Sequence, residues 1–249
     1  MPSGQRHPRC NTWLDTGRWA PDYQPPFRVG FYRAGVIPHL LDYVGIGALA
    51  ASGAVVGVRK GFDLFGIFTL AVLTGVGGGV LRDLLLDLDP PASLQHWQEI
   101  TICLAMSLLT TVFTKLVIKL NKLVLVLDAV GMGFFATSGA SISIDHGASW
   151  FAAIVLGVLS AVAGSVMRDV VAREVPMVMG PDDMYAVPAV LGSVIYVAID
   201  QFGSQSLGVV VGSLVATSLR LAAITFHWRL PTAPRELIHH VREHAQSLK

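Results

Sequence analysis

Residues 41–90 read LDYVGIGALAASGAVVGVRKGFDLFGIFTLAVLTGVGGGVLRDLLLDLDP, and residues 127–176 read LDAVGMGFFATSGASISIDHGASWFAAIVLGVLSAVAGSVMRDVVAREVP. With a constant offset of 86 residues and no gap, 20 of the 50 aligned positions are identical. Apolar segments match by chance mainly at Leu and Val, whereas these two segments also share an early Asp, an Arg-Asp pair and a final Pro. The sequence therefore contains an internal duplication.

Seven apolar segments of membrane-spanning length run along the chain. A spanning helix needs about 20 mostly apolar residues, and the candidates are Leu40–Val58, Leu64–Leu86, Ile100–Leu120, Leu123–Ile144, Trp150–Ala172, Met184–Ile199 and Leu207–Phe226. These blocks lack the period-two alternation that the strands of outer-membrane barrels need. Only 14% of the residues are charged, whereas soluble domains carry about 25%. The sequence therefore predicts an all-α membrane protein with seven transmembrane helices.

The duplication and the seven segments together predict an inverted repeat. Repeat one at 40–120 and repeat two at 123–200 each contain three crossings, so the second copy must enter the membrane from the opposite side. A seventh helix at 207–226 follows, which gives a 3+3 arrangement plus one C-terminal helix in a transmembrane domain of residues 36–228. Inverted repeats often place a substrate or ion site near the membrane midplane, although a duplication can also simply build a helix bundle.

Charge in the loops predicts the orientation in a cell (inner) membrane. The loops of one side hold seven basic residues, namely Arg59, Lys60, Lys115, Lys119, Lys122, Arg173 and Arg229. The opposite loops hold Asp87, Asp89, Asp145, His146 and Asp200. Since basic loops stay cytoplasmic, we expect the N-terminus outside and the C-terminus, with a polar tail at 229–249, in the cytoplasm. The Pro-rich segment 1–35 is predicted to be a mobile polar tail, although its five arginines argue mildly for the opposite orientation.

Small residues retained in both copies indicate a pathway through the membrane. The second segment contains Thr74-Gly-Val-Gly-Gly-Gly-Val-Leu-Arg-Asp83, and the fifth contains Ser160-Ala-Val-Ala-Gly-Ser-Val-Met-Arg-Asp169. Glycine costs about 1 kcal/mol relative to alanine inside a helix, so a run of glycines is expected to kink the helix and to free carbonyl groups for a cation. The predicted ion-pathway residues are Thr74, Gly77, Gly78, Gly79, Asp83, Ser160, Gly164, Ser165 and Asp169. Close helix packing is the alternative explanation of the small residues.

The charged residues of these apolar segments are predicted to form ion pairs. An Arg or Asp at the centre of a spanning helix costs ~2.5–3.5 kcal/mol on insertion scales. Adjacent residues on a helix do not face each other, and the helix directions place Arg82 with Asp42, and Arg168 with Asp128, on the same side of the membrane. Asp83 and Asp169 would then be free to face the pathway. The pairs could lock the repeats together or take part in gating, and both roles stay open.

The sequence offers little support for chemistry other than transport. No nucleophile–base pattern is present, and the glycine run lacks the Lys-Ser/Thr of a phosphate-binding loop. Cys10 and Cys103 lie far apart, and the histidines lack metal-ligand spacing. The net charge of +1 does not indicate a nucleic-acid partner. We therefore expect a protein that is not an enzyme and that uses no cofactor and no metal site, with monovalent cations and membrane lipids as its partners.

The duplicated pattern Gly-Gly-x-x-Arg-Asp, with a proline downstream, resembles the prokaryotic trimeric intracellular cation (TRIC) channel family. The first copy carries the pattern at Gly78–Asp83 and the second at Gly164–Asp169, where Ser165 replaces one glycine. The similarity covers about Leu40–Phe226 and leaves out both tails. Pro176 and the residues that follow it are also similar to the family's sixth-helix pattern.

The resemblance implies a homotrimer with one hourglass pore in each protomer, lined by the glycine-kinked second and fifth helices and conducting potassium and sodium. Ala161 and Ala163 stand where the first repeat has glycines, so the fifth helix is expected to kink less. The Lys-Glu-Val pore motif of animal members is absent, and their lipid regulation is not implied. Relatives with the same domain resemble transporters of small amino acids such as glycine, which is the alternative function.

Overall fold

The computed structural model describes residues 36–119, 122–180 and 184–228, and gives only the backbone at positions 36–39, 93 and 118. Every regular element in these ranges is helical. The predicted polar tails at 1–35 and 229–249, and with them Arg229, lie outside the described residues. The all-α class predicted from the sequence is therefore confirmed for the part of the chain that the structure describes.

The helices follow the predicted segments closely. They are α1 (Val36–Arg59), α2 (Leu64–Leu85), α3 (Ala92–Gln95), α4 (Trp97–Val112), α5 (Thr114–Lys119), α6 (Leu123–Asp145), α7 (Trp150–Val171), α8 (Ala186–Asp200) and α9 (Gln205–Phe226), with a 3₁₀ turn at Met177–Met179. Five of these, namely α1 from Leu40 onward, α2, α6, α7 and α9, are long and apolar enough to cross a membrane. The helices α4 and α8 are apolar but shorter, with 16 and 15 residues.

The third predicted segment is divided, which corrects the expectation of one continuous helix over Ile100–Leu120. The helix α4 ends at Val112, Phe113 interrupts it, and α5 follows. Near the break, the Thr111 hydroxyl donates to the Ser107 carbonyl at 2.8 Å, and the Thr114 hydroxyl donates to the Thr111 carbonyl at 2.6 Å. Such hydroxyl-to-carbonyl bonds compete with the helical ladder and often bend helices.

The two sequence copies enter their second helix in the same way. The turns after α1 and α6 contain Gly61 and Gly147, with φ of 72° and 81°, and glycine adopts this left-handed conformation without a steric penalty. Asp63 and Ser149 then cap α2 and α7, because each side-chain oxygen accepts the backbone N–H three residues later, at 2.7 Å and 3.2 Å. These four residues are paired by the same offset of 86.

The second helix of each copy also ends in the same way. Asp87 and Arg173, again 86 residues apart, both have φ of 57°. The N–H of the next residue then donates to the carbonyl five residues earlier, Asp83 at 2.9 Å and Asp169 at 2.8 Å, which is the hydrogen bond of a Schellman-type helix end. The duplication seen in the sequence is therefore also a duplication of local structure.

Four helices, two from each copy, form the centre. The helix α1 packs against α2 and α6, while α7 packs against α2 and α6. The helix α4 covers α1 and α2, and α8 covers α6 and α7 in the equivalent manner. The helix α9 follows the second copy only and packs against α6 and α8. Every candidate charged residue lies within this central group or directly beneath its covering helices.

Candidate ion pathway and buried charge clusters

The glycine run of α2 lies at the crossing of α2 and α7. The helix is continuous through Gly75–Gly79, so the glycine run does not divide α2, and the expected kink stays a prediction. A methyl group added to Gly78 would collide with the Ser160 carbonyl oxygen, and one added to Gly164 would collide with the Thr74 carbonyl oxygen. The two contacts are equivalent under the offset of 86. Missing Cβ atoms thus let the two backbones touch, which is the close-packing explanation of the small residues.

Thr74 and Ser160, both predicted to line a pathway, are fully buried at this crossing. The Thr74 hydroxyl donates to the Leu70 carbonyl at 2.6 Å and lies against Gly53 of α1. A Cβ atom added at Gly139 of α6 would lie 2.9 Å from the Ser160 Cβ. The Thr74 side chain therefore faces α1 and the Ser160 side chain faces α6, while their carbonyl groups face the opposite helix of the α2–α7 crossing.

The other predicted pathway glycines are buried as well. Gly79 is buried in α2, and a Cβ atom on Gly77 would lie 2.8 Å from the Met167 sulfur of α7. In the arrangement seen here, α2 and α7 are in contact at this level.

Arg82 and Asp83 form a buried pair at the end of α2. The Arg82 Nε and Nη2 atoms donate to Asp83 Oδ1 at 2.8 Å and 2.6 Å. The other carboxylate oxygen of Asp83 accepts the Ala92 backbone N–H at 2.9 Å. Asp83 is fully buried, so the expectation that it would be free to face a pathway is wrong. The long Arg82 side chain reaches its neighbour Asp83. The Asp83 carboxylate also holds the start of α3 against the end of α2.

Arg168 stands at the centre of a larger group on α7. Its Nε donates to Asp169 at 2.8 Å, and its Nη1 donates to Asp128 of α6 at 2.9 Å and to the Ser52 hydroxyl of α1 at 2.6 Å. The predicted Arg168–Asp128 pair is therefore confirmed. Asp169 also accepts the Met177 backbone N–H at 3.0 Å, so it repeats the role of Asp83, and its predicted freedom is likewise wrong. The Arg82–Asp42 pair stays a prediction.

Asp128 accepts hydrogen bonds from three side chains. Besides Arg168, it accepts the Ser165 hydroxyl and the Tyr185 hydroxyl, each at 2.5 Å. Ser52, Asp128, Ser165, Arg168, Asp169 and Tyr185 are all buried, and together they are called the repeat-two cluster below. Ser165, predicted as a pathway residue, instead serves in this cluster.

The first copy differs at the positions that complete this cluster. The offset of 86 places Gly79 at the position of Ser165, and Glu99 at the position of Tyr185. Two hydroxyl donors of the second copy are thus replaced by a hydrogen atom and a carboxyl group. Ser138, the counterpart of Ser52, is buried, and the described residues offer its hydroxyl no hydrogen-bond partner. The two copies are therefore alike in backbone but not in the polar environment of their arginines.

Arg220 of α9 is a buried charged residue that the sequence reasoning did not select. It is 2% exposed, its Nη1 donates to the Met184 carbonyl at 2.8 Å, and its guanidinium lies 4.5 Å from the centre of the Tyr185 ring. An arginine within the apolar segment Leu207–Phe226 was a signal in the sequence, because buried ionisable residues in spanning helices commonly have a function.

Helices of spanning length, a duplicated three-helix unit and a buried arginine–aspartate pair in each copy define a multi-pass membrane protein. A family model described as "Glycine transporter" matches residues 39–115 and 125–201, one match for each copy. The UPF0126 inner membrane protein YadS of Escherichia coli (strain K12) is 34% identical over 200 residues, which cover 79% of this chain and 96% of that protein.

Solved structures agree with these sequence matches. A TRIC channel orthologue from Rhodobacter sphaeroides superposes with a TM-score of 0.75 and 32% identity, over 78% of this chain and 100% of that one. A TRIC cation channel studied for the basis of its conductance gives a TM-score of 0.72 and 34% identity, over 79% and 97%. The chain belongs to the TRIC channel family that includes the UPF0126 membrane proteins.

Proposed function

We propose that the protein is a channel for the monovalent cations potassium and sodium, with one pathway in each protomer between α2 and α7. The observation that carries the proposal is the similarity to solved TRIC cation channels along almost their whole length, at identities of 31–34%. The family-model matches at residues 39–115 and 125–201 include both glycine contacts and both Arg-Asp pairs, so the elements of the proposed pathway lie inside a region of similarity.

Conduction along this pathway requires α2 and α7 to separate. The Thr74 and Ser160 carbonyl oxygens now lie against Gly164 and Gly78. If the helices move apart, these two oxygens border the gap, and carbonyl oxygens are suitable ligands for a partly dehydrated monovalent cation. The proposal therefore keeps the predicted pathway at the level of Gly77–Gly79 and Gly164, and assigns the arrangement seen here to a closed state.

Recording from planar bilayers tests the channel. We expect purified protein to give unitary potassium currents, and a reversal potential near zero between equal potassium and sodium solutions. Bilayers treated with detergent alone are the control. Folded protein that gives no unitary currents over a range of voltages would overturn the proposal.

A carrier for small amino acids is the second candidate, and the description of the matching family model favours it. Proteoliposomes should then accumulate labelled glycine with saturable kinetics and show no unitary currents. Channel activity without saturable uptake would remove this candidate.

The inverted seven-helix topology is proposed together with an outside N-terminus and a cytoplasmic C-terminus. Two contacts support the relative directions of the helices, and the charge of the loops supports the orientation. Lys60 after α1 pairs with Glu174 after α7 at 2.6 Å, and Gln205 of α9 donates to Asp145 of α6 at 2.9 Å. The topology requires Lys60 and Glu174 to share one side of the membrane, and Gln205 and Asp145 to share the opposite side.

Cysteine labelling tests the orientation. In a background with both native cysteines replaced, Asp145→Cys should react with an impermeant maleimide added to intact cells. The matched variant Lys60→Cys should react only after permeabilisation. The reverse pattern would invert the proposed topology.

A homotrimer is proposed from the family similarity, since the R. sphaeroides relative is described as a trimeric channel. Native mass spectrometry in nanodiscs should give three times the protomer mass of 26.6 kDa. A stable monomer or dimer would contradict this assembly.

A further inference from the structure

The helix α9 holds the short segment that precedes α8. The Met184 N–H donates to the Trp228 carbonyl at 3.0 Å, and the Met184 carbonyl accepts Arg220 Nη1 at 2.8 Å. The same guanidinium lies over the Tyr185 ring. Two contacts from Arg220 of α9 and one from Trp228, two residues after the end of the helix, therefore fix the position and the orientation of two consecutive residues.

Tyr185 connects this contact to the repeat-two cluster. Its ring lies under Arg220, while its hydroxyl donates to Asp128. A cation over an aromatic face is attracted by the ring electrons, and it draws electron density from the phenol oxygen, which makes the O–H group a stronger donor. Arg220 thus both orients the ring and strengthens the bond to the carboxylate. Glu99 occupies the equivalent position in the first copy, so this device is specific to the second.

Asp128 in turn affects how α7 packs against α2. It accepts bonds from Ser165 and Arg168 of α7, and Ser165 directly follows Gly164, whose backbone touches Thr74 of α2. Weaker hydrogen bonds between Asp128 and α7 would therefore affect the turn of α7 whose Gly164 contacts Thr74 of α2.

We propose that Arg220 is a positioning residue that holds Tyr185 on Asp128, and that α9 thereby sets how readily α7 leaves α2. The inference rests on the proposed channel function and adds a means of regulating it. Arg220 itself lies in α9, outside the proposed pathway, so it acts on the opening equilibrium and not on the passage of ions.

Single-channel recording of Tyr185→Phe, Arg220→Gln and the double variant tests the inference. Each single change should raise the ratio of open to closed time about tenfold, which corresponds to about 1.4 kcal/mol, with an unchanged unitary conductance. The double variant should show no more than the larger single effect, because both changes act through one bond. Arg220→Lys, which keeps a cation near the ring, should restore much of the parent behaviour.

Tyr196→Phe is the matched control. Tyr196 is fully buried in α8, and its hydroxyl lies 3.5 Å from Asp200. This change should leave the open-to-closed ratio near the parent value. Additive effects of the Tyr185 and Arg220 changes, a lower unitary conductance, or an equal gating effect of Tyr196→Phe would each overturn the inference.

Thermal unfolding of the same variants in detergent separates this inference from the channel proposal. Non-additive stability losses at Tyr185 and Arg220, in protein that never conducts, would sink the gating role together with the proposed function but leave the structural coupling. Additive losses of stability in protein that conducts would overturn this inference but leave the channel proposal intact. Should Arg220→Gln fail to fold, Tyr185→Phe and Arg220→Lys supply the same comparison.

Discussion

Arg168→Ala is expected to prevent stable folding or to lower the free energy of unfolding by about 3–5 kcal/mol, the usual cost of removing one partner from a buried ion pair. Arg168 is completely buried and donates to both Asp128 and Asp169. Its removal leaves two carboxylates in the interior without their shared cation, and it also leaves the Ser52 hydroxyl without a donor. Fluorescence-detected size exclusion after heating measures the effect in crude detergent extracts.

Arg173→Ala is the control for Arg168→Ala, because Arg173 is exposed only five residues further along. Surface substitutions of this kind usually change stability by about 0.5 kcal/mol or less. A neutral substitution of the whole pair, Arg168→Met with Asp128→Asn, should recover part of the loss, since a charge no longer stays unpaired at Asp128. Equal stability of Arg168→Ala and Arg173→Ala would show that the cluster contributes nothing.

The second large effect is expected for Gly78→Ala and Gly164→Ala. Each added methyl group would meet a backbone carbonyl of the opposite helix, and a helix backbone cannot move aside in the way a side chain can. Overpacking of this type costs about 1–3 kcal/mol and sometimes more. We expect lower unfolding temperatures for both variants, and longer open times in any folded fraction, because the methyl groups push α2 and α7 apart.

Gly47→Ala is the matched control for these glycines. It also lies inside a helix, but its added Cβ would meet only the Ile102 Cγ2 atom, at 3.6 Å, which is an ordinary contact. Alanine is favoured over glycine by about 1 kcal/mol in a helix, so this variant should be as stable as the parent or more stable. If Gly78→Ala behaves like Gly47→Ala, the close crossing of α2 and α7 does not exist in the membrane.

The glycine run shows the limit of propensity arguments for α2. Helix propensity disfavours the glycines at 75–79, and that argument predicted a kink, but the run does not divide the helix. The structure keeps the helix because packing against α7 outweighs a propensity cost of roughly 1 kcal/mol per residue. The duplication itself was a better guide, since it showed that Gly78 and Gly164 were retained together, and the structure explains this by their reciprocal contacts with Ser160 and Thr74.

Of the charged residues, one pair across helices, Arg168 with Asp128, was predicted correctly, whereas the contacts between neighbours along a helix were not predicted. Helix direction and the offset of 86 were enough to pair Arg168 with Asp128. The rule that adjacent residues diverge did not account for the length of the arginine side chain, which reaches its neighbour Asp83 or Asp169. The position of Arg220 in an apolar segment marked it as a candidate, but its partners, Met184 and Tyr185, are distant in sequence and could not be predicted from a local pattern.

The position of each partner in the chain has a consequence for biosynthesis. Ser52 and Asp128 precede Arg168, and Asp169 follows it directly, so its three hydrogen-bond partners in the described part of the chain are all synthesised before α7 is complete. Tyr185 and Arg220 come later in the chain. Tyr185 then donates to Asp128, whose charge Arg168 already compensates. Because synthesis runs from the N- to the C-terminus, Arg168 can enter the membrane already paired, before α8 and α9 are made.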